Sequence, residues 1–379
     1  MIGAIAPYIT RIRRSYQSND IIDRLNYQYT AMMISLSAIT LAATQYVGKP
    51  IQCWVPPEFT GAWKSKYAET YCFVKGSYFL AADEEIDDSY SQREKTFIGY
   101  YQWVPLVLAA QAMLFYLPSF IWKALNFNTG INVKSVLNSA ALVKKKFDKG
   151  TRTVQVQKAA THLVEALDMQ KELKLVTTFF LTRLGKRNGV FLTILYLFTK
   201  FLYVANVVLQ FAILNAFLGP QYTFWGVGIL SDIWNGREQY PSLDCSMCSY
   251  DKHVQREDFH FLLFWFILVG VLSLMSFFYW FFAALVPGQQ RGYVEKYLRC
   301  TGAISNYPSH REQRLVDDFI RKFLRPDGVF LLRLIQTNGG DLLVGEIVTS
   351  LFVRYRSKLE EQSGSQAITL PESPDLTKL

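Results

Sequence analysis

The chain has 379 residues, half of them hydrophobic, and a formal net charge of +9. This composition fits either an oily soluble enzyme or a protein that crosses a membrane several times, and the distribution of charge excludes the first. Four stretches carry almost no charge: Arg24 to Lys49, Lys95 to Lys123, Asn188 to Ser231 (only Lys200) and Asp258 to Arg291. Each stretch is longer than the ~20 apolar residues that cross a bilayer.

These stretches predict four transmembrane helices, at residues 28–48, 101–123, 190–218 and 259–286. The first apolar stretch lies too far into the chain, and is too long, for a cleaved signal peptide. The fold class that follows is an all-α membrane protein. We expect a four-transmembrane-helix bundle with a cytoplasmic helical domain and disulfide-stapled extracellular loops.

The charges of the connecting loops predict the orientation. Residues 125–189 contain twelve Lys or Arg and four Asp or Glu, whereas residues 49–99 and 219–258 are net acidic. Because basic loops stay in the cytoplasm, the 124–189 loop and both termini are expected inside, and the loops at 49–100 and 219–258 outside. The positive charge therefore indicates the membrane topology and not nucleic-acid binding. The run Lys144 to Lys146 contacts anionic membrane lipid or is simply solvated.

Residues 1–27 precede the first span and are predicted to form a short cytoplasmic helix, capped by Asn19 or Asp20. In the first span, the small side chains of Ser35, Ala38 and Ala42 recur at helical spacing. This pattern indicates close helix packing or a water-facing pore wall. In the second span, Pro105 and Pro118 lack an amide hydrogen and are expected to bend the helix.

The outer loops hold four of the five cysteines. Cys53 and Cys72 lie in the first outer loop and Cys245 and Cys248 in the second, while Cys300 lies inside. An oxidising compartment favours two disulfides in these loops, with three possible connectivities, and a free thiol at Cys300. A zinc site that includes the Cys245-x-x-Cys248 pair is the alternative.

The third span carries polar side chains that are costly in lipid: Lys200, Asn206, Gln210 and Asn215. They are expected to point into the helix bundle or into a water-filled conduit. On the cytoplasmic side, apolar periodicity predicts helices within 152–184 and across 287–356, with a helix-to-helix turn at Asn338-Gly339-Gly340-Asp341. The tail, 357–379, is expected to be disordered. Four scattered histidines and no phosphate-binding glycine motif predict no enzyme, no cofactor and no metal centre.

Several motifs resemble those of the innexin family of gap-junction channel proteins. The most specific is Tyr100-Tyr101-Gln102-Trp103-Val104-Pro105, an aromatic cluster at the point where the second span begins. The other motifs are Pro50 to Trp54, Tyr71-Cys72, Leu202 to Asn206, Leu214 to Gly219, Phe323 to Gly328 and Asn338 to Asp341.

The resemblance implies a plasma-membrane channel subunit in a ring of eight innexins, docked through its outer loops to a ring in the neighbouring cell. It also implies that the amino-terminal helix folds into the pore, so that Met1, Ile2 and Ile5 join Ser35, Ala38 and Ala42 as pore candidates. The conduit would pass ions and small metabolites.

One feature departs from the family pattern. Cys245 and Cys248 are only three positions apart, so the second outer loop is atypically short. This departure favours an alternative, a non-docking hemichannel or a modifier subunit in a single membrane. A four-span adhesion or scaffold protein is a further alternative, and it predicts localisation at cell contacts without conductance.

Overall fold

The computed structural model describes residues 20–47, 51–53, 67, 69–75, 77–80, 97–98, 101–127, 133, 137, 149–172, 189–218, 238–241, 248–250, 252–305 and 307–368. The chain divides into two compact units. The first unit contains Ile22–Phe120 and Lys200–Phe277, and the second contains Met1–Ile21, Ile121–Thr199 and Phe278–Leu379. Each unit is described by itself.

Helices dominate the described residues. In chain order they are α1 (Ile21–Arg24), α2 (Ala31–Tyr46), α3 (Glu69–Lys75), α4 (Val104–Phe127), α5 (Lys149–Glu172), α6 (Phe191–Leu218), α7 (Lys252–Leu285), α8 (Pro287–Cys300), α9 (His310–Asp318), α10 (Arg325–Gly339) and α11 (Asp341–Ile368). A π-helical segment, Leu25–Thr30, joins α1 to α2, and another, Phe319–Leu324, joins α9 to α10.

The two segments expected outside contain short strands. The sequence analysis did not predict these strands. They are β1 (Ile51–Cys53), β2 (Ser77–Leu80), β3 (Phe97–Ile98), β4 (Glu238–Pro241) and β5 (Cys248–Tyr250). β1 pairs with β5, and β2 lies between β3 and β4, all antiparallel. Both sheets therefore contain strands from each of the two outer loops. Strands this short carry too few residues for a readable alternation of apolar and polar side chains.

Three helices among the described residues are long and apolar enough to cross a membrane. They comprise Val104–Asn126, Phe191–Ala216 and Phe261–Leu285. They correspond to the second, third and fourth predicted spans. The first predicted span is not among them, because α2 has only 16 residues. Helical structure nevertheless runs without a break from Ile21 to Tyr46, starting earlier than the predicted 28–48.

The two prolines of α4 differ in position. Val104 is the first α-helical residue, so Pro105 lies in the first turn and not in the helix interior. A proline there removes no intrahelical hydrogen bond, because the first amides of a helix have no partner within it. The predicted bend at Pro105 is therefore wrong. Pro118 does lie inside the helix.

The first unit has an apolar core built from α2, α4, α6 and α7. It includes Ile34, Leu41, Leu108, Phe115, Val207, Leu262, Phe266 and Val269. The rings of Phe115 and Phe266 lie 5.5 Å apart between centroids. Gly270 allows a close approach of helices, since a Cβ added there would lie 3.2 Å from Val207 Cγ1.

The second unit is centred on an aromatic cluster of four residues. Tyr196 contacts Trp122, Trp280 and Phe330, with ring centroids 5.2, 5.0 and 4.9 Å away. Three of these residues belong to α4, α6 and α7, whereas Phe330 belongs to α10. The cluster therefore binds the ends of the three long apolar helices to a helix of the carboxyl-terminal part of the chain.

The carboxyl-terminal helices agree with the sequence-based prediction at one turn and differ from it at the end of the chain. Gly340, with φ of +93°, separates α10 from α11, as the Asn338 to Asp341 motif predicted. α11, however, continues to Ile368, past residue 357 where the disordered tail was expected to begin. Its first half is held by burial of Val344, Ile347 and Leu351 in the core of the second unit.

Candidate functional site

The most unusual feature of the first unit is a buried ion pair. Lys200 Nζ lies 2.7 Å from Asp23 Oδ1, and both side chains are 2% exposed. Lys200 also donates a hydrogen bond of 2.7 Å to Ser276 Oγ. A buried lysine is tolerable only when its charge is paired and its hydrogens are bonded. Here α1, α6 and α7 each contribute one member of the cluster.

A polar stripe continues from Asp23 along the first helical stretch. Asn26 donates to Ser273 Oγ at 2.8 Å, and Trp265 Nε1 donates to Thr30 Oγ1 at 3.0 Å. Thr30 in turn donates to the carbonyl of Leu25, five residues earlier, at 2.9 Å. That bond spans one π-helical turn, which is the local geometry of residues 25–30. The stripe therefore joins the first helical stretch to α7.

Further along α6, amide side chains form a second buried cluster. Gln210 donates to Asn206 Oδ1 at 3.4 Å and to the carbonyl of Gln111 at 3.5 Å. Gln210 and Gln111 are almost completely buried, and Asn206 is 8% exposed. Asn215, one turn beyond, is half-buried. Burial of these amides between helices is consistent with the cost of exposing them to lipid.

In the second unit, Asp327 caps the amino terminus of α6. Its carboxylate accepts hydrogen bonds from the amides of Leu192 and Thr193, at 3.3 and 3.0 Å, and from Thr193 Oγ1 at 2.8 Å. The Asp327 amide donates to the carbonyl of Gly189 at 3.0 Å. A carboxylate at this end also opposes the positive pole of the helix dipole. The tail motif Phe323 to Gly328 thus orients α6.

The aromatic signature forms the entry to α4. Tyr101–Trp103 is a 3₁₀ turn, followed by the first residues of the α-helix. Trp103 is 56% exposed, whereas Val104 and Pro105 are buried. Gln102 is half-buried, and Tyr100 lies outside the described residues. An exposed indole at the end of a long apolar helix is typical of a membrane interface.

The cysteines of the outer loops are partly described. Cys53 on β1 is directly opposite Cys248 on β5 in the antiparallel register. Cys72 is buried on α3 and is disulfide-bonded. Cys245 lies outside the described residues, and Cys300 is a free, exposed thiol. The register brings one cysteine of each outer loop together.

The pore candidates have unequal positions. Met1, Ile2 and Ile5 lie outside the described residues. Ala38 is buried in the apolar core of the first unit, so helix packing accounts for its small side chain. Ser35 and Ala42 are half-buried, and Ser35 Oγ donates to the carbonyl of Ala31.

A comparison with protein families identifies the chain. The family model for innexins matches residues 19–258 and 254–355. The chain belongs to the innexin family. It is 37% identical to Innexin-5 of Caenorhabditis elegans over 96% of this chain and 87% of that protein. It is 38% identical to Innexin unc-9 of the same species, over 89% of this chain and 92% of that protein.

Membership gives the general function. Innexins are gap-junction channel proteins of the plasma membrane and not enzymes, and they assemble into oligomeric channels with other innexins. The three apolar helices of this innexin agree with a membrane location. Among the described residues, no group of three or more His, Cys, Asp or Glu is placed to hold a metal ion.

Sequence reasoning missed most partners of the buried polar groups in this innexin. It placed Asp23 in the cytoplasmic segment, and it did not single out Ser273, Ser276 or Asp327. The sequence did contain a pattern that predicts a polar face on the first helical stretch, because Asp23, Asn26 and Thr30 recur at helical spacing. Their partners lie more than 170 positions away in sequence, so no local pattern pairs them.

Proposed function

We propose that this innexin is a subunit of a large-pore gap-junction channel that passes ions and small metabolites between adjacent cells. Family membership supports the channel, and one observation supports docking. That observation is the pairing of β1 with β5, which joins the two outer loops at Cys53 and Cys248. Strand pairing between the two loops would favour docking to an identical surface, because loops restrained before contact lose less entropy on docking.

The proposed topology has four crossings with both termini in the cytoplasm. The unbroken helical stretch from Ile21 to Tyr46 supplies the first crossing, and α4, α6 and α7 supply the others. Paired polar groups make the first crossing compatible with lipid, since Asp23, Asn26 and Thr30 are all bonded to other helices. The excess of Lys and Arg in the 124–189 loop sets the orientation.

The proposed assembly is a ring of eight subunits. α7 carries a broad exposed apolar face, which includes Phe264, Val271, Met275 and Tyr279. In the membrane such a face meets lipid or a neighbouring subunit. The amino-terminal segment with Met1, Ile2 and Ile5, together with Ser35 and Ala42, would line the conduit. A wide pore of this type needs no dehydrating filter.

We also propose a disulfide connectivity, which the strand register supports. Residues directly opposite in an antiparallel pair have Cα atoms about 4.5–5.5 Å apart. A disulfide needs a Cα separation of about 4.4–6.8 Å, so the register suits a bond between Cys53 and Cys248. With Cys300 free, Cys245 is then the partner for the disulfide-bonded Cys72.

One sequence feature supports a second candidate function, a non-docking hemichannel or a modifier subunit. The spacing of Cys245 and Cys248 shortens the second outer loop, which would supply half of the docking surface. Under this alternative the pore opens to the exterior, or the chain changes channels that its relatives build.

Paired-cell recording distinguishes the two candidates. Two cells without endogenous channels each express only this chain, and junctional current and dye transfer are measured together with the current of single cells. We expect junctional conductance and dye transfer in pairs. Dye uptake in single cells with uncoupled pairs would instead establish the hemichannel. Coupling only when the second cell expresses a relative would establish the modifier.

A further inference from the structure

A crevice in the second unit contains a buried cation that no described carboxylate neutralises. Arg333 on α10 lines it, together with Trp280, Ala284 and Gln290. The enclosed part of the crevice is narrow, with room for about one water molecule, and the crevice is open at its mouth. The Arg333 side chain is 8% exposed, and no carboxylate forms an ion pair with it among the described residues.

The hydrogen-bonding capacity of Arg333 is mostly unused. A guanidinium has five N–H donors. Arg333 Nη2 donates to the carbonyl of Gln289 at 3.3 Å, and the guanidinium carbon lies 4.7 Å from the centre of the Tyr293 ring. Arg333 Nε is buried, and no described residue accepts a hydrogen bond from it. A buried charge in this condition is unfavourable unless an anion joins it.

The neighbouring groups that the structure describes do not supply that negative charge. Burial raises the pKa of Tyr293, so its phenol stays neutral at physiological pH. Asp327, earlier on α10, directs its carboxylate to the amides of Leu192 and Thr193. Gln290 Nε2 donates to the carbonyl of Ala284 at 2.7 Å and closes the end of α7.

The location indicates where the anion comes from. Trp280 and Ala284 belong to the last turns of the apolar helix that ends at Leu285. Phe282 and Leu285 on the same turns are 54% and 56% exposed, so apolar surface continues beside the crevice. A site at the end of a membrane helix lies at the level of the lipid headgroups. Guanidinium groups bind phosphate through two parallel hydrogen bonds.

We infer that Arg333 binds the phosphate of an anionic phospholipid headgroup at the open mouth of this crevice. The guanidinium is the counter-ion of that phosphate, and the acyl chains lie against the exposed apolar side chains of the end of α7. The bound lipid thereby joins α7 to α10. This site is independent of the pore, and it exists whether or not rings dock between cells.

Thermal denaturation of the purified full-length protein in an uncharged detergent tests the site. The additives are dioctanoyl phosphatidylserine, dioctanoylglycerol and inorganic phosphate, each titrated separately. We expect phosphatidylserine to raise the melting midpoint of the wild type. Because Arg333→Gln removes the charged hydrogen-bond donors, it should weaken the apparent affinity about tenfold or more. The matched control Arg321→Gln changes an exposed arginine of the same unit and should leave the affinity unchanged.

The other outcomes are equally decisive. An equal rise with inorganic phosphate would support the phosphate site but assign it to free phosphate. An equal rise with dioctanoylglycerol, no rise with any additive, or an undiminished rise in Arg333→Gln would overturn the site. If Arg333→Gln does not fold, Arg333→Lys keeps the charge and loses the paired donors. Mass spectrometry of the intact protein should then show less co-purified anionic phospholipid in Arg333→Lys than in the wild type, and equal amounts would refute the inference.

Discussion

At the scale of single residues, the charges buried between the helices are paired and satisfied to very different degrees. Lys200 has Asp23 and Ser276, whereas Arg333 has one carbonyl and one aromatic ring. Removing one member of a paired set leaves an uncompensated charge, which costs more than removing both. The Lys200 site is therefore expected to be more sensitive to the loss of one partner than to the loss of both.

The Lys200–Asp23 pair is expected to be strongly coupled. Lys200→Met alone and Asp23→Asn alone should each lower the free energy of unfolding by about 3–5 kcal/mol, because each leaves the other charge buried. The double variant should recover a large part of that loss. The measurement is denaturation of the purified protein in detergent, analysed as a double-mutant cycle.

An exposed pair supplies the control for this cycle. Lys322 and Asp318 lie 3.0 Å apart with side chains 70% and 49% exposed. Lys322→Met and Asp318→Asn should each change stability by about 0–1 kcal/mol. Additive losses in the Lys200 and Asp23 double variant would show that the two charges do not interact.

Gly189 is a second residue whose identity the structure requires. Its φ is +65°, and an added Cβ would lie 2.6 Å from Arg325 Cδ. The arginine can move, but the backbone conformation still disfavours any side chain. We expect Gly189→Ala to destabilise the protein by about 1 kcal/mol or more, measured by thermal denaturation. Gly288→Ala, where no atom lies within 4 Å, should be neutral, and equal effects of the two changes would contradict this account.

At the scale of elements, distant parts of the chain fix the ends of the helices. Asp327 on α10 caps α6, and Tyr297 on α8 donates to Asp341 Oδ1, at the start of α11, at 3.1 Å. α9 instead carries its own capping box, formed by Ser309 and Glu312. Capping by distant residues makes the start of a helix depend on the packing of the whole unit.

The Tyr297 contact gives the protein a contribution to stability that is lost at alkaline pH. Burial, followed by the hydrogen bond to Asp341, raises the pKa of Tyr297 from 10.0 to about 12. The folded state therefore holds this proton more tightly than the unfolded state. Its contribution to stability is complete below pH 10 and is lost as the pH rises through about 12.

The test compares wild type with Tyr297→Phe between pH 9 and pH 12. The variant lacks the titrating phenol, so its melting midpoint should fall less steeply with pH in roughly this range. Tyr307→Phe is the control, because Tyr307 is 95% exposed. Parallel curves for wild type and Tyr297→Phe would show that this phenol does not titrate differently in the folded state.

At the scale of the whole molecule, the outer loops depend on one another. The two small sheets contain strands from both loops, and Cys53 is opposite Cys248. Closing long loops of chain by disulfides restricts the unfolded state, typically by about 2–4 kcal/mol per bond. The shape of the outer surface is therefore expected to require both loops and their bonds.

Cysteine variants test this dependence. Cys53→Ser and Cys248→Ser should each abolish junctional conductance, and each should free one thiol that mass spectrometry detects at the other position. Cys300→Ser removes the free, exposed thiol and should leave coupling intact. A free thiol at Cys72 or Cys245 in Cys53→Ser would reject the proposed connectivity.

The sequence predicted the second, third and fourth apolar helices well, because lipid requires long uncharged segments that are visible in a single stretch of chain. It also predicted the turn at Gly340. The sequence-based prediction failed at Pro105, because the effect of a proline depends on its position along the helix. It also failed where short strands such as β1 and β5 form only through their partners.

By itself, the sequence determined the family, the three long apolar helices and the polar positions of α6, since each depends on composition or on a contiguous motif. Only the tertiary structure decided which group pairs with each buried charge. Asp23 pairs with Lys200 and Asp327 binds Thr193, whereas Arg333 has no carboxylate partner within the described part of the chain. The physical reason is that buried charges are governed by neighbours in space, and those neighbours are dispersed over the whole chain.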